Sequence, residues 1–477
     1  MIVRRFFDVR LAQTSYLIGC ARAGTALVIA PLRDVDQYLD AAAAESLRIS
    51  HVTETHIHAD FVSGARDLAR RTGATLLLSD EGDANWKYAY AKAAGARLVK
   101  GGDEFMVGNV KVRIVHTPGH TPEHICFLIT DTAAADEPIA IATGDFVFVG
   151  DVGRPDLLER AAKYQGTMEA AAHTLFRSLT TFRALPDWLQ IWPGHGAGSA
   201  CGKGLSAVPH STVGYEKRFN WALQTTDEAA FVRAVLEGQP EPPTYFAQMK
   251  RINKEGPVPF DPAARPRAGG LADLQAALSA GMMVVDTRRA DAYATGFVPG
   301  TVNIPLNKSF NTWAGWFMPF DRDAVLVVDD ADAGEALREL AMVGLDRVAM
   351  TIPTSVVAAA AAGGIALGTV PQMDAAALAA AMKAGSVRVL DVRGHAEWQE
   401  GHLPGVANIP VGFLPARLAA VPTDGTLVLQ CQAGGRSSIA SSLLLAAGRT
   451  NIANLTGGYD AWTAVGDRKS TRLNSSH

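Results

Sequence analysis

The sequence predicts an α/β protein of about three domains, from its length, its alternating element types and an internal repeat. The 477 residues correspond to about three domains of ordinary size. In the first half, short β-type apolar runs alternate with helical stretches such as residues 64–71, as in layered α/β domains. The β-type runs are residues 16–18, 26–29, 75–78, 110–115, 125–129, 139–141 and 189–192.

A segment rich in Pro, Gly and Arg, residues 256–270, separates the first half from the rest of the chain. Beyond it the chain repeats itself: residues 284–288 (VVDTR) parallel residues 389–393 (VLDVR), and residues 296–305 parallel residues 401–410. We therefore predict domains at residues 1–255, 256–365 and 366–467, followed by a disordered tail, native or added, at residues 468–477.

Charge and composition favour small molecules as ligands. A net charge of −4 gives no electrostatic case for nucleic acid or an anionic membrane. The four cysteines are too few and too scattered for a disulfide framework, which favours reduced thiols in the cytoplasm. The N-terminus lacks a signal-peptide pattern, and no apolar run approaches the roughly 18 residues of a membrane span. We expect a cytoplasmic homo-oligomer.

A cysteine loop near the C-terminus predicts sulfur chemistry. Cys431 follows the apolar run 427–429 and precedes a Ser- and Ala-rich stretch with helical spacing at residues 437–447. Backbone N–H groups and the helix dipole should converge on its sulfur, and Arg436 adds a positive charge. We expect a thiol that ionises easily and holds a sulfur atom or an anion. The residues of this loop are Gln432, Ala433, Gly434 and Gly435.

The Cys-x-x-Gly-x-Arg pattern resembles the active loop of the rhodaneses, sulfurtransferases that carry sulfane sulfur as a cysteine persulfide. The resemblance continues through residues 389–393, 397–398, 401–410 and 457–462. It implies an α/β domain with a parallel sheet, in which Cys431 and Arg436 are catalytic; the alternative is an inert buried cysteine. The repeat implies a second rhodanese-like unit. Its strand at 325–328 runs into acidic residues without cysteine or arginine, so we expect it to be catalytically silent.

Four polar loops in the first half predict a metal site. Each follows an apolar run and supplies imidazoles or carboxylates, which can surround a divalent metal where strand ends converge. The loops are residues 55–61 (THIHADF), 116–124 (HTPGHTPEH), 143–145 (TGD) and 193–196 (PGHG).

The order of these loops resembles the metallo-β-lactamase fold, which implies an αββα sandwich for residues 1–255. Hydrolases of this family usually have a histidine directly after the aspartate of the first motif, and it completes a second metal site. Here that position is Phe61, which cannot bind a metal. We therefore expect a single metal. A zinc hydrolase of the glyoxalase II type remains the alternative.

Within this fold the chain more closely resembles the persulfide dioxygenases, on residues 55–64, 116–124 and 143–157. The resemblance implies one Fe(II) per chain, with zinc as the alternative. Its ligands would be His56, His120 and Asp145, a facial triad that leaves positions open for a thiolate and O₂.

Neighbouring side chains have expected roles around this metal. His58, Asp60 and His195 would orient the ligands or bound water. Arg154 could pair with a substrate carboxylate or be an ordinary ion-paired arginine. Cys201 could accept or relay a persulfide or be a passive loop cysteine. Of the other two cysteines, we expect Cys126 to lie in the core and assign Cys20 no role.

Together the two resemblances imply oxidation of a low-molecular-weight persulfide by O₂ to sulfite, followed by sulfur transfer onto sulfite to give thiosulfate. The thiol that carries the persulfide, glutathione, coenzyme A or another, stays open. Two alternatives remain: a thioester hydrolase of the glyoxalase II type with a rhodanese domain, and a non-catalytic persulfide carrier or sensor.

Overall fold

The computed structural model describes residues 1–157, 159 and 166–465, so the predicted tail at 468–477 lies outside the described residues. The chain forms two compact units. The first contains residues 1–262 together with residues 341–344, and the second contains residues 263–340 and the chain from Leu345 onward. Among the described helices, none combines the length and the apolar character that crossing a membrane requires.

In its described part, the first unit contains two six-stranded sheets. Its strands are β1 (Ile2–Asp8), β2 (Gln13–Cys20), β3 (Thr25–Ile29), β4 (Arg48–Thr53), β5 (Thr75–Ser79), β6 (Arg97–Val99), β7 (Glu104–Val107), β8 (Val110–His116), β9 (Ile125–Asp131), β10 (Ala140–Gly144), β11 (Gln190–Pro193) and β12 (Ser211–Thr212). Its helices are α1 (Asp36–Ala44), α2 (Ala65–Thr72), α3 (Met168–Phe182), α4 (Val213–Phe219), α5 (Trp221–Gln224), α6 (Glu228–Leu236) and α7 (Phe246–Glu255), with a 3-10 turn at Ala84–Trp86. The predicted apolar runs fall on these strands, except that Ile139 and Leu189 each directly precede a strand.

The two sheets, ordered β1-β2-β3-β4-β5-β6 and β12-β11-β10-β9-β8-β7, pack face to face. Side chains such as Ile18 and Ile114 fill the core between them. Leu68 of α2 packs on the outer face of the first sheet, and Leu175 of α3 packs on the outer face of the second. Apolar positions on both faces of each sheet require this four-layer αββα arrangement.

The second unit contains two five-stranded parallel sheets in its described part. Its strands are β13 (Arg267–Ala268), β14 (Met283–Asp286), β15 (Val302–Asn303), β16 (Ala324–Val327), β17 (Val348–Ile352), β18 (Gln372–Met373), β19 (Val387–Asp391), β20 (Ala407–Asn408), β21 (Thr426–Gln430) and β22 (Ile452–Leu455). Its helices are α8 (Leu271–Ser279), α9 (Ala290–Thr295), α10 (Phe310–Phe317), α11 (Asp330–Met342), α12 (Val356–Ala362), α13 (Ala375–Ala384), α14 (His395–Glu400), α15 (Gly435–Ala446) and α16 (Gly458–Ala464), with 3-10 turns at Val411–Phe413 and Pro415–Ala420.

The two parallel sheets have the same strand order, β13-β17-β16-β14-β15 and β18-β22-β21-β19-β20. In the first, Asp286 lies opposite Val327, and in the second Asp391 lies opposite Gln430. By this register, Val328 occupies the position that Cys431 has in the second sheet. The predicted α/β class, with parallel sheets in the C-terminal half, is confirmed.

Candidate active sites

Three buried side chains from separate strand ends converge in the first unit. His56 follows β4, His120 lies between β8 and β9, and Asp145 follows β10 directly. Their candidate ligand atoms all lie within 4.8 Å of one another. The Nε2 atoms of His120 and His56 are 3.6 and 4.0 Å from Oδ2 of Asp145. The structure thus brings together the three residues that the sequence nominated as metal ligands.

The hydrogen bonds around this cluster suit a metal ion. Nδ1 of His56 bonds to the Thr55 hydroxyl at 2.9 Å, and Nδ1 of His120 bonds to the Arg154 carbonyl oxygen at 2.9 Å. Nε2 of each ring therefore points toward Asp145. Hydrogen bonds to the outer ring nitrogen orient metal-bound histidines in the same way. Nε2 of His56 and both Asp145 carboxylate oxygens are buried without a hydrogen-bond partner. Two imidazoles and a carboxylate fit Fe(II) or Zn²⁺.

A second cluster, Asp60, His195 and Cys201, lies beside the first, with its candidate ligand atoms also within 4.8 Å of one another. Nε2 of His195 is 3.1 Å from Oδ2 of Asp60 and 3.3 Å from Oδ2 of Asp145. The Ala12 carbonyl oxygen holds the opposite ring nitrogen of His195 at 3.0 Å. Asp60, His195 and Cys201 thus offer three candidate donors here, and position 61 adds none.

The two clusters are coupled electrostatically. Burial alone would lower the pKa of His195, but Asp145, Cys201 and Asp60 together raise it well above its usual value. Burial, followed by the charges of Asp145 and Asp60, raises the pKa of the Cys201 thiol to about 12. Burial lowers the pKa values of His56 and His120, which favours the neutral imidazoles that a metal requires. A cation would offset the buried acidic charge.

His58 does not direct Nε2 toward the centre, because that atom bonds to Oε2 of Glu54 at 2.9 Å. The hydroxyl of Ser63 bonds to the other oxygen of the same carboxylate. The fully buried ring of Phe61 packs against the His58 imidazole, with ring centroids 4.4 Å apart. Sequence reasoning missed Glu54, although an acid four residues before a histidine in this motif was a usable signal.

Two neighbours of His120 were also missed as functional residues. The His124 ring accepts the backbone N–H of Asp145 on Nε2 at 3.1 Å and bonds to the Thr117 hydroxyl at 2.8 Å. The carboxylate of Glu123 accepts the backbone N–H of Ile57, between His56 and His58, at 2.7 Å. Burial raises the pKa of Glu123 to about 7. Both residues hold metal-site loops in place, a function that no spacing pattern reveals.

Arg154 is fully buried, and its guanidinium makes two 2.7 Å bonds to the Asp156 carboxylate. Its Nη1 also donates to the carbonyl oxygen of Ala200 at 3.2 Å. Its backbone N–H donates to the carbonyl oxygen of Cys201 at 3.0 Å. Contact with a substrate carboxylate would require this pair to open. Arg154 joins the loops of His120 and Cys201.

Glycines allow the strand ends to approach closely. Gly144, directly before Asp145, has φ +51°, and a Cβ there would lie 2.7 Å from the Thr55 side chain. A Cβ on Gly194 would lie 2.7 Å from Oδ1 of Asp145. Strained backbone at a position like Gly144 costs about 1–3 kcal/mol for other residues, so these small residues are a requirement of the site.

The second candidate site is the loop between β21 and α15. Cys431 is almost completely buried, and its Sγ accepts the Gly434 N–H at 3.1 Å and the Ser437 hydroxyl at 3.4 Å. The Tyr459 N–H donates to the Cys431 carbonyl oxygen at 2.8 Å, so the motif at residues 457–462 holds the loop from behind. The predicted position of the cysteine at a helix N-terminus is confirmed.

Arg436 has an acidic partner that sequence reasoning did not pair with it. Its Nη1 and Nη2 donate to Oε2 and Oε1 of Glu397 at 2.5 and 2.7 Å. A second arginine, Arg393, donates to the side-chain oxygen of Gln432 in the loop at 3.0 Å. The positive charge expected beside Cys431 is therefore present, but a carboxylate neutralises it.

The remaining cysteines are structural. Cys126 lies in the core between the second sheet and α3, as predicted, and burial raises its pKa to about 12. Cys20 is buried, and its sulfur accepts the Asn109 N–H at 3.2 Å.

Comparison with known proteins agrees with this two-part organisation. The family described as the metallo-beta-lactamase superfamily matches residues 8–195, and the rhodanese-like domain family matches residues 374–465. A crystal structure described as a metallo-beta-lactamase from Staphylococcus aureus is 40% identical in sequence, with a TM-score of 0.67. The match covers 74% of this chain and 99% of that one.

Curated relatives match the first unit. A beta-lactamase hydrolase-like protein of Xylella fastidiosa is 29% identical over 252 residues, which cover 48% of this chain and 54% of the relative. The chain thus spans about half the length of that relative. A hydroxyacylglutathione hydrolase of a Polaromonas species is 28% identical over 285 residues, 54% of this chain and all of that protein.

Proposed function

Because this chain belongs to the metallo-beta-lactamase superfamily and also carries a rhodanese-like domain, we propose that it is an iron-dependent persulfide dioxygenase fused to a sulfurtransferase. The observation that carries the proposal is the buried cluster of His56, His120 and Asp145 in one chain with the Cys431 loop. The first half would oxidise a low-molecular-weight persulfide to sulfite, and the last domain would use sulfite as sulfur acceptor.

In the first reaction, R–S–SH, O₂ and water give R–SH, sulfite and two protons. The terminal sulfur loses four electrons, which O₂ accepts. Bound Fe(II), held by His56, His120 and Asp145, would supply the electron-transfer chemistry that lets O₂ react with a sulfur ligand. Thr55 and the Arg154 carbonyl oxygen fix the two rings before the substrate arrives. The pair of His195 and Asp60 beside them can hold a proton.

In the second reaction, the Cys431 thiolate attacks the outer sulfur of a second R–S–SH molecule, R–SH leaves, and Cys431 then carries the sulfane sulfur as a persulfide. Sulfite attacks that outer sulfur, a new S–S bond forms, and the bond to Sγ breaks with its electron pair on Cys431. Thiosulfate leaves, and no external oxidant is consumed. The Gly434 N–H and the Ser437 hydroxyl already point at Sγ, where they can stabilise the departing thiolate.

The middle unit is proposed as a second rhodanese-like unit without catalytic function. The identical strand order of the two parallel sheets supports this assignment. At the position of Cys431 stands Val328, and α11 begins at Asp330, only two residues later. In the last domain α15 begins at Gly435, four residues after Cys431, which leaves room for the persulfide loop.

O₂ uptake by the full chain, loaded with iron and supplied with a panel of persulfides, tests the proposal. We expect sulfite to appear in equal amount with the O₂ consumed when the first site acts alone. Sustained uptake excludes a non-catalytic carrier. Iron-loaded protein that consumes no O₂ with any persulfide would contradict the proposal.

A thioester hydrolase is the second candidate, favoured by the full-length match to the hydroxyacylglutathione hydrolase and by the additional donors Asp60, His195 and Cys201. It predicts two zinc ions per chain and hydrolysis of a hydroxyacylglutathione. One metal per chain and no thioester hydrolysis would exclude it.

A further inference from the structure

The ion pair between Glu397 and Arg436 joins the first turn of α14 to the first turn of α15, the helix that directly follows the Cys431 loop. It is bidentate, and both partners are partly exposed, with 38% of the Glu397 side chain and 24% of the Arg436 side chain accessible. Glu397 is also held by the backbone N–H of Gly394, which donates to Oε2 at 3.0 Å. This capping interaction at the start of α14 fixes the carboxylate where it meets the guanidinium.

Arg436 is paired with Glu397 and lies within the electrostatic influence of Cys431. Burial by itself would lower the pKa of Arg436, but Glu397 and the Cys431 thiolate raise it. Burial would raise the pKa of Glu397, yet the bonds from Arg436 and Gly394 lower it. The guanidinium that follows the Cys431 loop is therefore neutralised by a carboxylate before any substrate anion arrives.

The silent repeat lacks this pair together with the cysteine. Gly296 and Gly401, like Asp286 and Asp391, occupy equivalent positions in the two repeats, and the same offset aligns Glu397 with Ala292. The segment at 328–334 that replaces the persulfide loop contains no arginine. The carboxylate thus accompanies the reactive loop and is not needed to form the sheet.

We infer that Glu397 determines which acceptor takes sulfur from Cys431, by neutralising Arg436 so that dianionic acceptors gain little advantage over thiolates, which carry one charge. This inference rests on the proposed sulfurtransferase function. With the carboxylate present, sulfite is not strongly attracted and the dianionic product thiosulfate is not retained. Without it, the unpaired guanidinium favours the acceptor with the larger negative charge.

Single-turnover sulfur transfer from Cys431 of the full chain to each acceptor tests this inference directly. The Cys431 persulfide is prepared with a persulfide donor, desalted under argon and mixed at constant ionic strength with sulfite or with dithiothreitol, whose reacting thiolate carries a single charge. In Glu397→Gln, the amide can still accept the Gly394 N–H, as Gln does in capping boxes. We expect the second-order rate constant for sulfite to rise about fivefold, while that for dithiothreitol stays within about twofold.

Asp424→Asn is the matched control, because it removes the same charge from the exposed Arg388–Asp424 pair. It should leave the ratio of the two rate constants unchanged. An unchanged or lower ratio in Glu397→Gln would overturn the inference. A wild type whose persulfide reacts with neither acceptor would instead contradict the proposed sulfurtransferase.

If Glu397→Gln disturbs the loop, the salt dependence of the wild-type rate constants tests the inference instead. If Glu397 neutralises Arg436, the rate constants for sulfite and dithiothreitol should both decrease only slightly, and to a similar extent, as the salt concentration rises. A markedly steeper decrease with salt for sulfite would show that Arg436 attracts anions despite Glu397 and would overturn the inference.

Discussion

At the residue scale, the candidate metal centre consists of side chains oriented by their neighbours. Thr55 and the Arg154 carbonyl oxygen hold the outer nitrogens of His56 and His120, and the Asp145 backbone N–H donates to His124. Buried polar atoms without partners are costly unless something binds them. The unpartnered atoms of His56 and Asp145 are therefore the ones that a metal would satisfy.

Removal of any one ligand should empty this centre. We expect most of the bound iron to be lost, and the rate of O₂ uptake to decrease at least about tenfold, in each of His56→Ala, His120→Ala and Asp145→Ala. Each change removes one of three protein ligands. Iron per chain, from elemental analysis, measures this. His173→Ala, which removes a partly exposed histidine paired with Glu228, is the control. Full iron content in any of the three variants would refute the ligand assignment.

Phe61→His tests the number of metals. The Phe61 ring packs on His58 beside Asp60, so an imidazole there could add a fourth donor to the Asp60, His195 and Cys201 cluster. We expect zinc capacity to rise toward two ions per chain, measured by titration and elemental analysis. Phe146→His, at another buried aromatic position, is the control for a histidine added in the core. Saturation at one metal would mean that Phe61 is not the sole determinant.

Cys431→Ser should separate the two chemistries. Serine keeps the loop shape but removes the persulfide-forming atom. We expect thiosulfate formation to decrease by at least about a hundredfold, while persulfide-dependent O₂ uptake persists. Cys20→Ser, at a buried cysteine in the first unit, should affect neither product. An equal loss of both activities would show that the two sites do not act independently.

At the element scale, loops after strands carry the chemistry, and the start of the next helix controls their shape. After β21 the chain forms a loop that contains Cys431 before α15 begins. After β16, by contrast, the helix α11 begins almost at once. Asp329, at that shortened junction, accepts the N–H and the hydroxyl of Thr354. Its carboxylate thus has a structural partner within the repeat.

Replacement of both carboxylates at this junction should leave sulfur transfer intact. Asp329→Asn with Asp330→Asn retains an oxygen that can accept from Thr354, so the fold should persist. We expect sulfurtransferase rates within about twofold of wild type and a thermal midpoint within a few degrees, because exposed substitutions usually have small effects. Rate measurements with thiosulfate as donor check this. A large decrease in rate with an unchanged midpoint would show that the middle repeat participates.

At the scale of the whole molecule, the two proposed reactions share sulfite, and one chain would carry out both. Fusion keeps the second site at a high local concentration near the first. His120→Ala chains mixed with Cys431→Ser chains should therefore still convert persulfide to thiosulfate, but with a lag and with free sulfite detectable in solution. Time courses of both products check this. A mixture that matches the wild type at low enzyme concentration would show that fusion gives no kinetic advantage.

Much of the fold could be predicted from local patterns. The apolar runs at 110–115 and 125–129 lie on β8 and β9, and the repeat appears as two parallel sheets of equal order. Short-range periodicity reports burial, and burial on both faces requires a layered fold. The dense motifs also led to His56, His120, Asp145 and Cys431, because their residue types and order carry the chemistry.

The sequence by itself determined the fold class and nominated the two kinds of site and their ligands, since these depend on residue type and local order. Tertiary structure alone decided the partners: Glu54 on His58, Asp156 on Arg154, Glu397 on Arg436, and Cys201 beside His195 and Asp60. Some of these partners are distant in sequence and others adjacent. In each case the contact follows from how loops pack at strand ends, which no linear pattern encodes. Charge neutralisation and metal capacity depend on those contacts.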